Sequence, residues 1–392
     1  MRMSKSSGWK MAFVREWRRI VSRPIYVIMT IILPLGFLFF YSTFLQEGFP
    51  EQLPLGVIDH DNSSLSRTII RQIDATQQTK VAATYLHFSE AKKSIQRGEI
   101  YAFLEIPAHL QKDVYSGNQP TIHYYYNQSY FVAGSLLLRD MEIMLNTISS
   151  GVNLQTRQLK GQGVEESMAQ ILPIVPEIHA IGNPYMNYSV YLSNVLLPGM
   201  LQLMILLTIV YCIGIELKKS SSKVWLRGAK GSLFQAMIGK LLPYTLIFSC
   251  IGLFYELFLF KFMHFPLYNS LWWMVLDTFL LVIGTEAVAI VMIGIVPVLR
   301  DGLCFAGLYG ILAFSYSGLV FPIEGMPVAL QGLSYLFPLR FFFKIFQNVV
   351  LNDVNPTLSL IYYFIMLLFL LLPLVVWKRL HGALVKLDYP KK

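Results

Sequence analysis

Residues 25–45 read IYVIMTIILPLGFLFFYSTFL, twenty-one positions without a charged side chain. At 1.5 Å of helical rise per residue such a run crosses a hydrocarbon core about 30 Å thick. It is too long for the apolar core of a secretory signal, and no small-x-small cleavage site follows Tyr41-Ser42-Thr43-Phe44, so it reads as a retained anchor. Downstream lies a polar stretch, residues 46–190, and then five more apolar segments at 191–214, 233–260, 271–299, 302–322 and 355–377. One span, a large polar domain, then a five-span bundle: this layout sets the expected fold class. It predicts an α-helical polytopic membrane protein with six transmembrane helices and an inserted extracytoplasmic α/β domain.

Composition agrees. Of 392 residues, 55% are hydrophobic and only 14% charged, against roughly 25% charged in a soluble domain. The net charge of +9 does not point to nucleic acid, because of where it lies. Residues 1–24 hold seven Lys/Arg, residues 215–232 hold five, and the tail after Trp377 holds five more, whereas residues 46–190 carry ten Lys/Arg against fourteen Asp/Glu. Basic charge beside the spans on one face is the positive-inside pattern. It predicts cytosolic termini, a cytosolic tail at 378–392 and residues 46–190 outside. The three cysteines, Cys212, Cys250 and Cys304, all fall in spans and offer neither a disulfide framework nor metal-ligand spacing.

Residues 1–24 predict an amphipathic elbow helix lying in the headgroup plane, with Trp9, Phe13, Trp17 and Ile20 on one face and Arg15, Arg18 and Arg19 on another; Pro24 separates it from the first span. Residues 46–190 alternate strand and helix patterns. Strands are expected at Leu55–Asp59, Val81–Leu86, Ile100–Ile106 and Thr121–Tyr126. Helices are expected after the caps Asn62/Ser63 and Ser89, from Pro107, and over about 130–168. Residues 173–188 read as an irregular return to the membrane. The Asp59–Ser64 cluster of oxygens resembles a cation loop, but without the glycine and glutamate spacing of an EF-hand it reads as a turn and helix cap.

Within the loop 215–232, Val224-Trp225-Leu226 is an apolar island among basic residues. It predicts either a helix lying on lipid or a docking helix for a cytosolic partner. A tiny turn is expected at Arg300-Asp301-Gly302. Residues 323–350 are too apolar for open water and too short to span, and Gly325, Pro327 and Pro338 break them; two re-entrant half-helices fit. Carboxylates inside spans cost roughly 2.5–3.5 kcal/mol on insertion scales and mark bundle interiors or pathways. Glu286 is therefore the leading pathway candidate, weighed against a protonated Glu bonded to a neighbouring helix. Asp277 and Glu256 are expected near the outer interface. Asp277 and Tyr316 are the other two pathway candidates. No phosphate loop, zinc-type His-Glu-x-x-His or Gly-x-Ser-x-Gly occurs, so no catalytic residue, metal site or bound cofactor is expected in this chain.

Ser317–Pro327, with Phe321-Pro322, then Met326-Pro327 and later Pro338, resembles the end of the fifth span in permeases of the ABC-2 membrane-transporter family. Phe13-Val14-Arg15-Glu16 with Arg23-Pro24 resembles that family's elbow. Glu216, a basic loop and Gly239-Lys240-Leu241-Leu242-Pro243 resemble its stretch between the second and third spans, although Ser220-Ser221-Ser222 replaces the usual Gly-Thr. The resemblance implies a half-transporter of the bacterial inner membrane, paired with a second permease copy or a paralogue. Separate ATPase subunits would hold ATP and Mg. It assigns ATPase coupling to Glu16, Glu216, Val224, Trp225, Leu226 and Arg227, and an outer gate to Phe321, Pro322, Gly325, Met326, Pro327 and Pro338. It implies export of drug-like or amphiphilic substrates, sometimes through a periplasmic adaptor and an outer-membrane channel, with lipid, glycan or peptide export as alternatives. A ligand sensor would need a signalling domain that the short cytosolic pieces lack. An intramembrane enzyme built on Glu286, Asp277 and His264 has no recognised catalytic spacing.

Overall fold

The computed structural model describes residues 8–46, 48–171, 183, 187–268, 270–352, 354–386 and 389. The chain divides into two compact units, Met1–Gln46 with Ala180–Lys392, and Glu47–His179. The expected return segment 173–188 lies almost wholly outside the described residues, as does most of the tail after Lys386.

The chain starts with helix α1 (Gly8–Ser22) and, after Pro24, the apolar helix α2 (Pro24–Phe44). Residues Ile28–Ile32 of α2 widen into a π-helical turn just ahead of Pro34, which has no N–H to give to a preceding carbonyl.

The second unit is a four-stranded sheet, β1 (Leu53–Asp59), β2 (Thr79–Thr84), β3 (Ala102–Ile106) and β4 (His123–Tyr126), in the order β2-β1-β3-β4. β1 pairs in parallel with both β2 and β3, and β4 runs antiparallel to β3. Between the strands lie α3 (Ser64–Asp74), α4 (Phe88–Arg97) and α5 (Leu110–Tyr115); α6 (Phe131–Leu159) and α7 (Val164–Ile171) follow. The period-two alternation of strands sorts the core. Leu53, Leu55, Val57, Ala102, Leu104 and Ile106 meet α3, α5 and α6 on one face, while Ile58 and Phe103 meet α4 on the other. Gly98 closes α4 in the left-handed region at φ 73°, which glycine adopts without a steric penalty. Two expectations shift here. The helix expected from Pro107 starts at Leu110, after His109 at φ 67°. The single helix expected over 130–168 breaks into α6 and α7 around Gly161, whose φ is 86°.

The first unit continues with α8 (Tyr188–Lys218), α9 (Ser222–Gly228), α10 (Leu233–Phe262), α11 (Leu271–Ile295), α12 (Leu299–Ser315), α13 (Val328–Ser334), α14 (Pro338–Phe346) and α15 (Pro356–Lys386). α11 is apolar on every side apart from Asp277 and Glu286 and packs against α8, α10, α12, α14 and α15, which makes it the bundle's centre. Among the described residues, five helices are long and apolar enough to cross a membrane: α2, α8, α10, α11 and α15. The segment expected as a span at 302–322 forms the 17-residue α12, which stops at Ser315 before Gly318 at φ 85° and Pro322. The break before α12 falls at Val296-Pro297-Val298 rather than at Arg300-Asp301-Gly302. Proline disfavours helix in the residue before it, and Asp301 suits the first turn of a helix. The last helix runs beyond Trp377 to Lys386, with Leu380 and Leu384 fully buried.

Candidate functional site

At one end of the first unit, α1, the last turn of α8, α9 and the first half of α10 converge on two buried carboxylates. α8 has 31 residues, far more than the roughly 20 a bilayer needs, so Glu216 near its end is carried well past the length required to span. The inward face of α1 is Gly8, Ala12, Glu16 and Ile20 at four-residue spacing, one helical stripe. That stripe meets α10 closely: a Cβ on Gly239 would lie 2.2 Å from the Trp9 carbonyl oxygen and 2.7 Å from Ala12 Cβ. Small residues at this crossing bring Glu16 within reach of α10.

The polar contacts there form one network. Arg15 grips Glu216 with both terminal guanidinium nitrogens, at 2.8 and 2.9 Å. Arg19 Nη1 donates to Glu216 at 2.5 Å and to Glu16 at 3.3 Å. Lys240 Nζ, itself fully buried, donates to Glu16 at 2.8 Å and Glu216 at 3.1 Å. Tyr244 Oη donates to Glu16 at 2.8 Å, and Ser221 Oγ donates to Glu216 at 2.5 Å. Burial would lower the Arg19 pKa, but Glu16 and Glu216 outweigh it and raise the pKa further above the ordinary arginine value. Removing charges from water costs several kcal/mol per ion, so such a cluster persists only when every member is paired. It holds α1, α8 and α10 in one register.

α9 is fixed to this network from below and beside. The Lys240 ammonium lies 4.8 Å from the Trp225 ring centroid, a cation–π contact, and Trp225 Nε1 donates to the Ala236 carbonyl at 3.2 Å. Ser222 Oγ donates to the Leu384 carbonyl at 2.7 Å, tying α9 to α15. Trp225 and Leu226 are buried, while Lys223, Val224 and Arg227 face outward.

Deeper in the bundle, Glu286 accepts from Thr245 Oγ1 of α10 at 2.8 Å and leaves its other oxygen without a partner among the described residues. Asp277 is fully buried with neither oxygen partnered among them, and Glu256 accepts from Thr278 Oγ1 beside a small cavity of about 30 Å³. That volume suits about one water. Both carboxyls, Asp277 on α11 and Glu256 on α10, are thus buried among neighbouring side chains rather than reaching out to the interface expected for them. Tyr316 stacks on Phe337 at 5.1 Å. Beyond it, Phe321, Pro322, Gly325 and Pro327 are exposed, Met326 is half-buried, and Pro338 is buried at the start of α14. α13 is largely exposed, whereas α14 inserts Phe341, Phe342, Phe343 and Phe346 into the bundle core.

Over residues 24–377 the chain matches the family model described as ABC-2 family transporter protein. The chain belongs to the ABC-2 transporter family. No curated protein matches it. An ABC-2 permease is a multi-pass membrane component of a transporter and not itself the catalyst, and the family usually pairs with ATP-binding subunits.

In this permease the structure brings Glu16, Glu216, Trp225 and Leu226 together in the buried network and its packing, and leaves Val224 and Arg227 on the outer face of α9. Arg15 and Arg19, expected to face lipid headgroups, turn inward to the carboxylates, and only Arg18 of the three is fully exposed. Glu286 lies apart from the Glu256–Asp277 pair, nine residues or about 14 Å along α11 from Asp277. Lys240, Tyr244, Ser221 and Ser222 were missed as site residues by sequence reasoning. The available signal was Lys240 itself: an ammonium inside an apolar run needs a carboxylate, and Glu16 and Glu216 flank the neighbouring spans. The Asp59 cluster is turn-and-cap geometry. Asp59 accepts from the backbone of Asp61 and Asn62, and Ser63 and Ser66 form a reciprocal capping box.

Proposed function

We propose that this permease is the membrane half of an ATP-driven exporter, moving drug-like or amphiphilic substrates out of the cytoplasm or inner membrane. Two copies, or a copy and a paralogue, pair. An ATP-binding subunit, which holds ATP and Mg, docks on each at the outward face of α9. Both termini and α9 are cytosolic, and the Glu47–His179 unit is periplasmic, available to an adaptor and an outer-membrane channel. The observation that carries this reading is the construction of α9. Its outward residues Lys223, Val224 and Arg227 are free for a partner, while its inward residues are fixed to α1, α8, α10 and α15. A push on α9 is therefore a push on the ion network. Closure of the ATPases tilts α1, α8 and α10 together, because separating the network would expose unpaired buried charges.

The permease opens at a seam between copies along α8 and α12. Glu286, Asp277 and Tyr316 lie on the pathway. The segment 323–350 acts as outer gate, with Phe321, Pro322 and Met326 at its mouth and hinges at Gly325, Pro327 and Pro338. Supporting the gate is the contrast between exposed α13 and core-bound α14 on either side of Pro338. The test is reconstitution with the ATP-binding subunit in proteoliposomes, comparing the wild type with Val224→Asp/Arg227→Glu. The variant is expected to lose ATP-driven efflux of a fluorescent amphiphile while keeping its size-exclusion profile. Unchanged efflux rejects the docking assignment.

A further inference from the structure

The Glu47–His179 unit carries a groove of about 740 Å³ between α6, α3, α5 and the loop before β4, within the range of small-molecule sites. Its α6 wall is residues 145, 146, 148, 149, 152, 153, 156 and 157, with Lys160 just past the helix end, the repeat of one broad helical face. Along that face the chemistry changes. Leu145, Ile148 and Val152 come first, with Asn146 and Ser149 beside them; Asn153, Thr156, Arg157 and Lys160 follow, about 22 Å from end to end at helical rise. The opposite wall, Leu65, Ile69, Leu110, Val114 and Ile122, is apolar. Leu65, Ile122, Leu145 and Ile148 are half-buried at the edge of the domain core, so the floor is a core left open on one side.

Arg157 and Lys160 are the charged residues lining the groove, with no carboxylate among the lining residues. Arg157 is held by neutral partners: its Nε donates to Asn153 Oδ1 at 3.0 Å, one Nη to Gln162, and the same nitrogen to Gln170 of α7. Neither cation forms an ion pair among the described residues. Basic side chains in a last turn also complement the helix dipole, but that does not account for the half-buried apolar face leading up to them. We propose that this groove is a binding site for a single-chain amphiphile with an anionic head, its chain over Leu145–Val152 and its head at Arg157 and Lys160.

This goes beyond export and rests on the second unit alone. The test uses the full-length permease in phosphatidylcholine nanodiscs with a diazirine-bearing palmitate analogue and its amine-headed counterpart of equal chain length. Cross-linked peptides are read by mass spectrometry. The expected result is saturable labelling of peptides spanning 110–122 and 145–160 by the acid and not by the amine, weakened about tenfold or more in Arg157→Gln/Lys160→Gln, as the loss of charge-assisted bonds implies. Ile148→Asn is expected to weaken labelling without restoring the amine. Equal labelling by both heads, labelling confined to the spans, or no labelling of these peptides because protein or bilayer lipid covers them overturns the proposal. A failure of ATP-driven efflux leaves this readout unaffected.

Discussion

Lys240 keeps a charge inside an apolar helix because Glu16 and Glu216 both reach it, at 2.8 and 3.1 Å. Lys240→Met leaves two buried carboxylates short of a cation and should cost about 3–5 kcal/mol, read as a lower melting temperature in detergent. Adding Glu16→Gln should recover part of that loss, since it removes one of the stranded charges; a full additive loss would mean that the two do not interact. Trp225 fills a buried site, so Trp225→Ala should cost about 3–5 kcal/mol. Val224→Ala and Arg227→Ala should each stay within about 0.5 kcal/mol. This separation matters for function, because only the outward pair can report on docking without unfolding α9. At this scale the sequence was half legible. Glu16 and Glu216 stood out through motif resemblance, whereas Arg15 and Lys240 stand in the same motifs without any sign that they pair with those glutamates. Arg15 and Arg19 share a helix with Arg18, and nothing local says which arginines turn inward until α8 supplies its glutamate.

Helices and strands follow their local chemistry closely. The four strands fall within a few residues of their expected places because alternation of apolar residues is a local pattern. Their order is not local, and β1 in the middle of the sheet could not be read from spacing. The crossing of α1 over α10 depends on Gly239, where any side chain meets the Trp9 backbone. Gly239→Leu should force the helices apart, break the Lys240–Glu16 bond and lower the melting temperature at least as much as Lys240→Met. In the second unit, Gly98→Ala should cost about 1 kcal/mol, because alanine resists φ near +73°. A denaturation midpoint unchanged by that substitution would speak against the left-handed cap. Five of the six expected spans are helices long enough to cross; the other expected span, 302–322, is cut short. Pro297 and Gly318 cut α12 at both ends, and a hydropathy reading runs through such breaks because it registers apolarity and not backbone geometry.

On the scale of the whole permease, a bundle centred on α11 carries an ion network at one end and a set of broken helices, α13 and α14, in its later half. The surface offered for the proposed pairing of copies is α12, whose outward face holds Cys304, Leu308 and Ile311, all exposed. With Cys250 replaced by Ser, a short thiol cross-linker should give a linked dimer through Cys304 in native membranes, lost in Cys304→Ser. No linked species would place the seam elsewhere. If an ATP-binding subunit docks on the outer face of α9, a photoreactive benzoylphenylalanine placed at position 224 of the full-length permease in native membranes lies against it. Irradiation should give a cross-link from position 224 to an ATP-binding subunit, and none from the same group placed at position 308. A link from position 308, or none from position 224, would contradict this docking.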